Sequence, residues 1–248
     1  GELDRADTLA DRGETAGEGD ERTVADLLVE QVEFADVVVL SKGDLAGADR
    51  TRQVASMVRA LNPKPRVVHA DHGRVDLAEV LDTGLFDMET AQSSAAWIAE
   101  LNGVHTPETE EYGIGHFVYR ARRPFHPARI MEHIRNGEWG GVIRSKGFFW
   151  LASRPRWVYV WPEAGGGCSF EVTGQGWAGV PADERPDDPE HRRLIEDMWE
   201  EPFGDRRQEI VLIGQGMNRE VITAALHPCL LTDNQSAAPA DSSRVIDD

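Results

Sequence analysis

Four apolar residues in a row, Val37-Val38-Val39-Leu40, run straight into the polar turn Ser41-Lys42-Gly43-Asp44. Three of the four are β-branched, which favours strand over helix. An unbroken apolar run of this kind suits a parallel strand buried on both faces. Such a strand needs sheet neighbours beside it and helices above and below, so the run points to an α/β layer structure. Open α/β sheets bind their ligands beyond the carboxyl ends of the strands, which is where this turn lies. There it offers an acceptor-only carboxylate in Asp44, a long cationic stem in Lys42 and a small hydroxyl in Ser41.

The flanking pattern agrees. Residues 23–34 carry apolar positions at 24, 27, 28, 32 and 34, a one-sided helix with Thr23 as its N-cap. A helix over 49–61 stops at Asn62-Pro63. A second apolar strand, Arg66-Val67-Val68-His69, ends at Ala70-Asp71-His72-Gly73, and short helices are expected over 75–82 and 86–101. Helix, strand, helix, strand, helix is the closing part of a doubly wound α/β domain. Two strands are too few to cover one another, so the reading expects further strands before residue 1. Residues 1–20 are acidic and polar without periodicity, and are expected to be a loop or disordered.

The pattern changes after a polar linker over 102–113. Strand 115–121 precedes a helix over 126–136. Strands over 142–151, 157–161 and 168–172 are joined by the turns Ser153-Arg154-Pro155-Arg156 and Gly165-Gly166-Gly167, an antiparallel meander. A helix near 189–200, a strand over 208–213 and a helix over 219–226 with Asn218 as N-cap complete the pattern. Residues 114–231 thus read as a self-sufficient α+β domain behind a partial α/β domain at 1–101, with a disordered tail at 232–248.

Composition narrows the function. The net charge is −18, from 44 acidic against 26 basic residues, and such a surface repels a phosphate backbone. The one locally basic segment, Tyr119-Arg120-Ala121-Arg122-Arg123, is short and reads as a solvated strand end. No nucleic-acid partner is expected, and no apolar run approaches a membrane span. The two cysteines, Cys168 and Cys229, lie far apart, which fits a reducing cytoplasm and excludes a disulfide framework. The histidines form no His-x-x-x-His or His-x-Glu cluster; His126 and His133 could share a helix face but read better as packing or surface residues.

The turn at 41–44 resembles the base-specificity motif of GTPases, Asn/Thr-Lys-x-Asp, with Ser41 in the Asn/Thr place. Longer strings extend the likeness. Leu27-Leu28-Val29-Glu30-Gln31-Val32-Glu33-Phe34-Ala35-Asp36, Asp82-Thr83-Gly84-Leu85-Phe86-Asp87, Phe117-Val118-Tyr119-Arg120-Ala121-Arg122-Arg123-Pro124-Phe125-His126-Pro127 and Lys146-Gly147-Phe148-Phe149-Trp150-Leu151 resemble the CobW-like family of GTP-dependent metallochaperones.

The resemblance implies a P-loop GTPase sheet followed by a CobW-type C-terminal domain. It implies GTP, with Mg²⁺ and a transferable metal, most often Zn²⁺ and alternatively cobalt, handed to a client metalloprotein. A homo-oligomer is also compatible with it. It makes Asp44 the acceptor for the guanine edge, Lys42 the stem along the ring and Ser41 the loop brace, with His72 in the second base-side loop. The 248 residues contain no Gly-x-x-x-x-Gly-Lys-Ser/Thr and no Cys-x-Cys-Cys. The chain is therefore expected to be a fragment holding the base-recognition half, inactive as a GTPase by itself. The alternative is a non-catalytic protein-interaction module derived from the same family.

Overall fold

The computed structural model describes residues 23–87, 101, 112–136, 139–164, 167–168 and 171–232. The first helix, α1 (Val24–Phe34), starts at Thr23 through a capping box. The Thr23 hydroxyl accepts from the Asp26 amide at 3.1 Å and the Asp26 carboxylate accepts from the Thr23 amide at 2.8 Å. Past Ala35 and Asp36 the chain enters β1 (Val37–Leu40), then the single-turn helix α2 (Gly43–Ala46) and the longer α3 (Ala48–Leu61). Asn62 ends α3 and bonds back to the end of α1, its amide donating to the carbonyls of Val32 and Ala35 at 3.0 Å each. The strand β2 (Arg66–His69) then pairs in parallel with β1, Val37 opposite Arg66 and Leu40 opposite His69.

The expectation that β1 is buried on both faces is not met. Val39 is 41% exposed and the other three residues are only partly buried. Among the described residues β1 has β2 as its sole strand partner, and a two-stranded sheet cannot bury both faces of either strand. The helix expected over 75–82 is a single 3-10 turn at Leu77–Glu79, started by the Asp76 carboxylate accepting from the Ala78 amide at 3.0 Å. Asp82, at φ 49°, sits in the left-handed region and cannot extend it. The helix expected over 86–101 falls mainly on residues outside those described.

The second half is an antiparallel sheet with apolar residues on both faces. Its strands are β3 (Ile114–Ala121), β4 (Val142–Phe149), β5 (Trp157–Ala164), β6 (Gly167–Cys168), β7 (Glu171–Gln175) and β8 (Gln208–Gln215), with α4 (Pro127–Asn136) between β3 and β4. The meander β4–β5–β7 forms as expected, although the strand expected over 168–172 divides into β6 and β7, both paired with β5. The last strand, β8, inserts between β3 and β4, antiparallel to both. It is buried from Gln208 to Gly214, as a central strand covered on both faces must be.

Side-chain alternation divides that burial. Phe117, Tyr119, Ile210 and Leu212 belong to one core with Phe125, Ile130, Phe149, Trp161, Ile222 and Leu226, under α4 and α6 (Arg219–Leu226). Val118, Val211 and Ile213, the intervening residues, form another core with Val29 of α1 and Leu61 of α3. The helix α5 (Pro189–Met198) starts at Asp188, whose carboxylate accepts from the His191 amide at 3.0 Å. The first half of the chain therefore roofs one face of the second half's sheet. No helix among the described residues is long and apolar enough to cross a membrane.

Candidate functional site

The parallel register that sets Leu40 opposite His69 brings two loops side by side at the carboxyl ends of β1 and β2. One is Ser41–Asp44, the other Ala70–Arg74. The ladder is closed at this end by the Ala70 amide donating to the Leu40 carbonyl at 2.9 Å, and the second loop by reciprocal bonds between Asp71 and Arg74. His72 Nε2 lies 3.9 Å from Asp44 Oδ2 and 3.8 Å from Asp71 Oδ1. The structure thus brings Asp44 and His72 within reach of one ligand.

Backbone strain is concentrated here. Among the described residues the non-glycine positions with φ in the left-handed region are Lys42 at 59°, His72 at 46° and Asp82 at 49°. The first two are the pivots of the two facing loops. A left-handed lysine costs on the order of 1–2 kcal/mol, and strain of this sort persists where the surroundings fix it and gathers at ligand clamps. At Lys42 the fixing bonds are visible. Its carbonyl accepts from both the Leu45 and Ala46 amides at 3.1 Å, and the Gly47 amide donates to the Gly43 carbonyl at 2.9 Å, so α2 closes directly behind the turn. Ser41, Lys42 and Asp44 are exposed, and the Asp44 side chain retains about a third of its accessible surface.

An exposed carboxylate in a strand-end turn, with a lysine two residues before it, can accept two parallel N–H bonds from a flat heterocycle while the lysine stem lies along the ring. The described residues, this site included, hold no group of three His, Cys, Asp or Glu side chains that could bind a metal ion. His126 and His133, considered together from the sequence, separate in role. The His133 ring packs on Trp139 with centroids 4.9 Å apart, and the His126 Nδ1 atom is buried without a hydrogen-bond partner.

Sequence reasoning missed one pair altogether. Glu33 and Arg144 form a bidentate ion pair, Nε to Oε1 at 3.0 Å and Nη2 to Oε2 at 2.9 Å, with side chains 0% and 1% exposed. The signal was present as a charge at the edge of an apolar helix face beside Val29 and Val32, but nothing local identifies its partner.

Comparison with known proteins finds matches to both halves of the chain. The family model "CobW/HypB/UreG, nucleotide-binding domain" matches residues 3–69, and "Cobalamin synthesis protein cobW C-terminal domain" matches residues 114–230. "Zinc-regulated GTPase metalloprotein activator 1" of Dictyostelium discoideum is 42% identical over 230 residues, covering 92% of this chain and 48% of that protein. "Zinc chaperone Rv0106" of Mycobacterium tuberculosis is 32% identical over 221 residues, covering 89% of this chain and 52% of that one. The solved structure of Zn(II)-bound YjiA GTPase from E. coli aligns with a TM-score of 0.37 at 20% identity, over 82% of this chain and 54% of that chain. The chain spans about half the length of the curated relatives it matches. With a nucleotide-binding segment and a CobW-type C-terminal domain matched in that order along it, this chain belongs to the CobW-like family.

Proposed function

We propose that this chain supplies the guanine-recognition loops and the C-terminal domain of a GTP-dependent metal chaperone that delivers zinc to a client metalloprotein. The observation that carries the base reading is the convergence of Ser41–Asp44 and His72 at the carboxyl ends of two register-paired parallel strands. The Asp44 carboxylate accepts from the guanine edge, the Lys42 stem lies along the ring and the Ser41 hydroxyl braces the loop. A backbone amide of the His72 loop meets the guanine oxygen. Zinc and the client come from the names of the relatives. The described residues do not fit a zinc site, and no Walker-type phosphate loop occurs in the 248 residues, so neither metal transfer nor hydrolysis is assigned to them. A cytoplasmic location and self-association accompany this reading.

The test is nucleoside selectivity. Saturation-transfer NMR on the chain with guanosine, adenosine and xanthosine at millimolar concentration should show guanosine preferred. Asp44→Ala should remove the preference, at a cost of about 1.5–3 kcal/mol for a charge-assisted hydrogen-bonded contact. Asp44→Asn should turn it toward xanthosine, because one acceptor becomes a donor. Equal transfer to all three nucleosides in the unsubstituted chain refutes the reading.

A further inference from the structure

The buried pair Glu33–Arg144 belongs to a larger charge match. Glu30 and Glu33 stand three residues apart on α1 and therefore share a helix face. Arg144 and Lys146 stand two residues apart on β4 and share a strand face. Burial and the neighbouring Arg144 cation hold the Lys146 ammonium below its ordinary range, while Glu33 and Glu30 draw it back up. The Glu33–Arg144 pair thus sits among further charges, with Lys146 under the influence of Glu33 and Glu30 of the first half and Glu171 of the second.

A buried ion pair contributes little net stability, because desolvation offsets most of its attraction. Its effect is geometric. The apolar contact beneath it, Val29 and Leu61 on Val118, Val211 and Ile213, is non-directional and would tolerate α1 shifted along the sheet. The two-pronged Arg144–Glu33 bond tolerates one position, since any other leaves two charges buried and unpaired.

The connection from α1 to β1 transmits that position. The Ala35 amide caps α1 on the Val32 carbonyl, the Asn62 side chain holds the Val32 and Ala35 carbonyls at 3.0 Å, and the Arg66 amide takes the Asp36 carbonyl at 2.9 Å. Strand β1 begins at the next residue and ends at Leu40, directly before Ser41. We propose that the Glu33–Arg144 pair fixes the register of α1 on the C-terminal sheet and, through the braced α1–β1 connection, the position of the loop 41–44. Whatever engages the C-terminal sheet is thereby coupled to that loop. The functional meaning of the coupling rests on the base-recognition reading; the mechanical link does not.

The test is hydrogen exchange by mass spectrometry on the 248-residue chain, comparing Glu33→Gln, Arg144→Met and the apolar double variant Glu33→Leu/Arg144→Met. Each single variant should raise exchange across 37–44 several-fold while leaving 219–226 unchanged. The double variant removes both charges, so its melting midpoint should return close to that of the parent. Its exchange at 37–44 should nevertheless stay raised, because apolar packing restores stability without restoring register. If the double variant restores protection at 37–44, or if a folded single variant leaves 37–44 at parent protection, the proposal is overturned. Should the singles fail to fold, the double variant alone decides between these outcomes. Guanosine selectivity of the unsubstituted chain, measured separately, tests the base reading without touching this result.

Discussion

Asn62 shows how much one buried amide can organise. It is 1% exposed, donates to two carbonyls at the end of α1 and accepts from the Lys64 amide at 3.1 Å. Asn62→Ala would remove three part-buried hydrogen bonds, with the Val32 carbonyl keeping only the Ala35 amide, each lost bond costing about 0.5–1.5 kcal/mol. We expect a loss of at least about 2 kcal/mol in urea unfolding, with exchange raised first at the α1–β1 connection. A loss below a few tenths would mean that water replaces the side chain. Titration gives a second residue-scale expectation. Burial holds the His133 imidazole below its usual range, and burial together with the Arg129 cation does the same for His126. Unfolded, both take up protons near about pH 6.5; folded, they do so only at lower pH. Within that interval the unfolded chain binds more protons, so stability falls as the pH drops below about 6.5. Melting midpoints between pH 7.5 and 5 should decline less steeply in His133→Gln than in the parent chain. An identical slope would remove His133 from the account.

At the scale of elements, the contact between β4 and β8 is the tightest joint. A β-carbon placed on Gly147 would lie 2.1 Å from the Glu209 carbonyl oxygen and 2.7 Å from the Ile210 α-carbon. Both are backbone atoms of the central strand and cannot step aside as a flexible side chain would. Gly147→Ala is therefore expected to destabilise the chain by about 3 kcal/mol, the upper end of the usual overpacking range. Gly174→Ala, in β7 with open space around the added carbon, should cost far less. Chemical denaturation of the two variants side by side checks this, and equal effects would contradict the close approach. The same joint explains why β8 carries so regular an alternation, with Ile210 and Leu212 entering one core and Val211 and Ile213 the other.

For the whole molecule, the expectation of a self-sufficient unit at 114–231 meets the second core. Excising residues 114–232 would strip Val29 and Leu61 from Val118, Val211 and Ile213 and leave Arg144 without Glu33. The excised piece keeps the core under α4 and α6, so its sheet should still form. It should also expose an apolar patch on the opposite face and self-associate. Sedimentation of the excised piece beside the 248-residue chain distinguishes the cases. A monodisperse monomer melting at the parent temperature would show that the roof contributes nothing.

Local chemistry alone located most elements. Thr23 and Asn218 marked helix starts because a side-chain oxygen beside a free backbone amide acts over a few residues only, and Pro63 marked the stop at Asn62 because it disfavours a helical conformation in the residue before it. The apolar run at 37–40 and the alternation around 117 and 211 marked strands because side-chain direction repeats every two residues. The loops at 41–44 and 70–73 were legible as polar turns, each directly after a strand. What the tertiary structure decided was partnership. Nothing near Gln208 says that β8 enters between β3 and β4, and nothing near Glu33 says that its charge meets Arg144. The 3.9 Å approach of His72 to Asp44 and the left-handed backbone at Lys42 likewise depend on the register of β1 against β2. An alternating pattern tells which face of a strand is apolar. Which neighbour covers that face, and whether a charge on it can be buried, is settled only by residues far away in the chain.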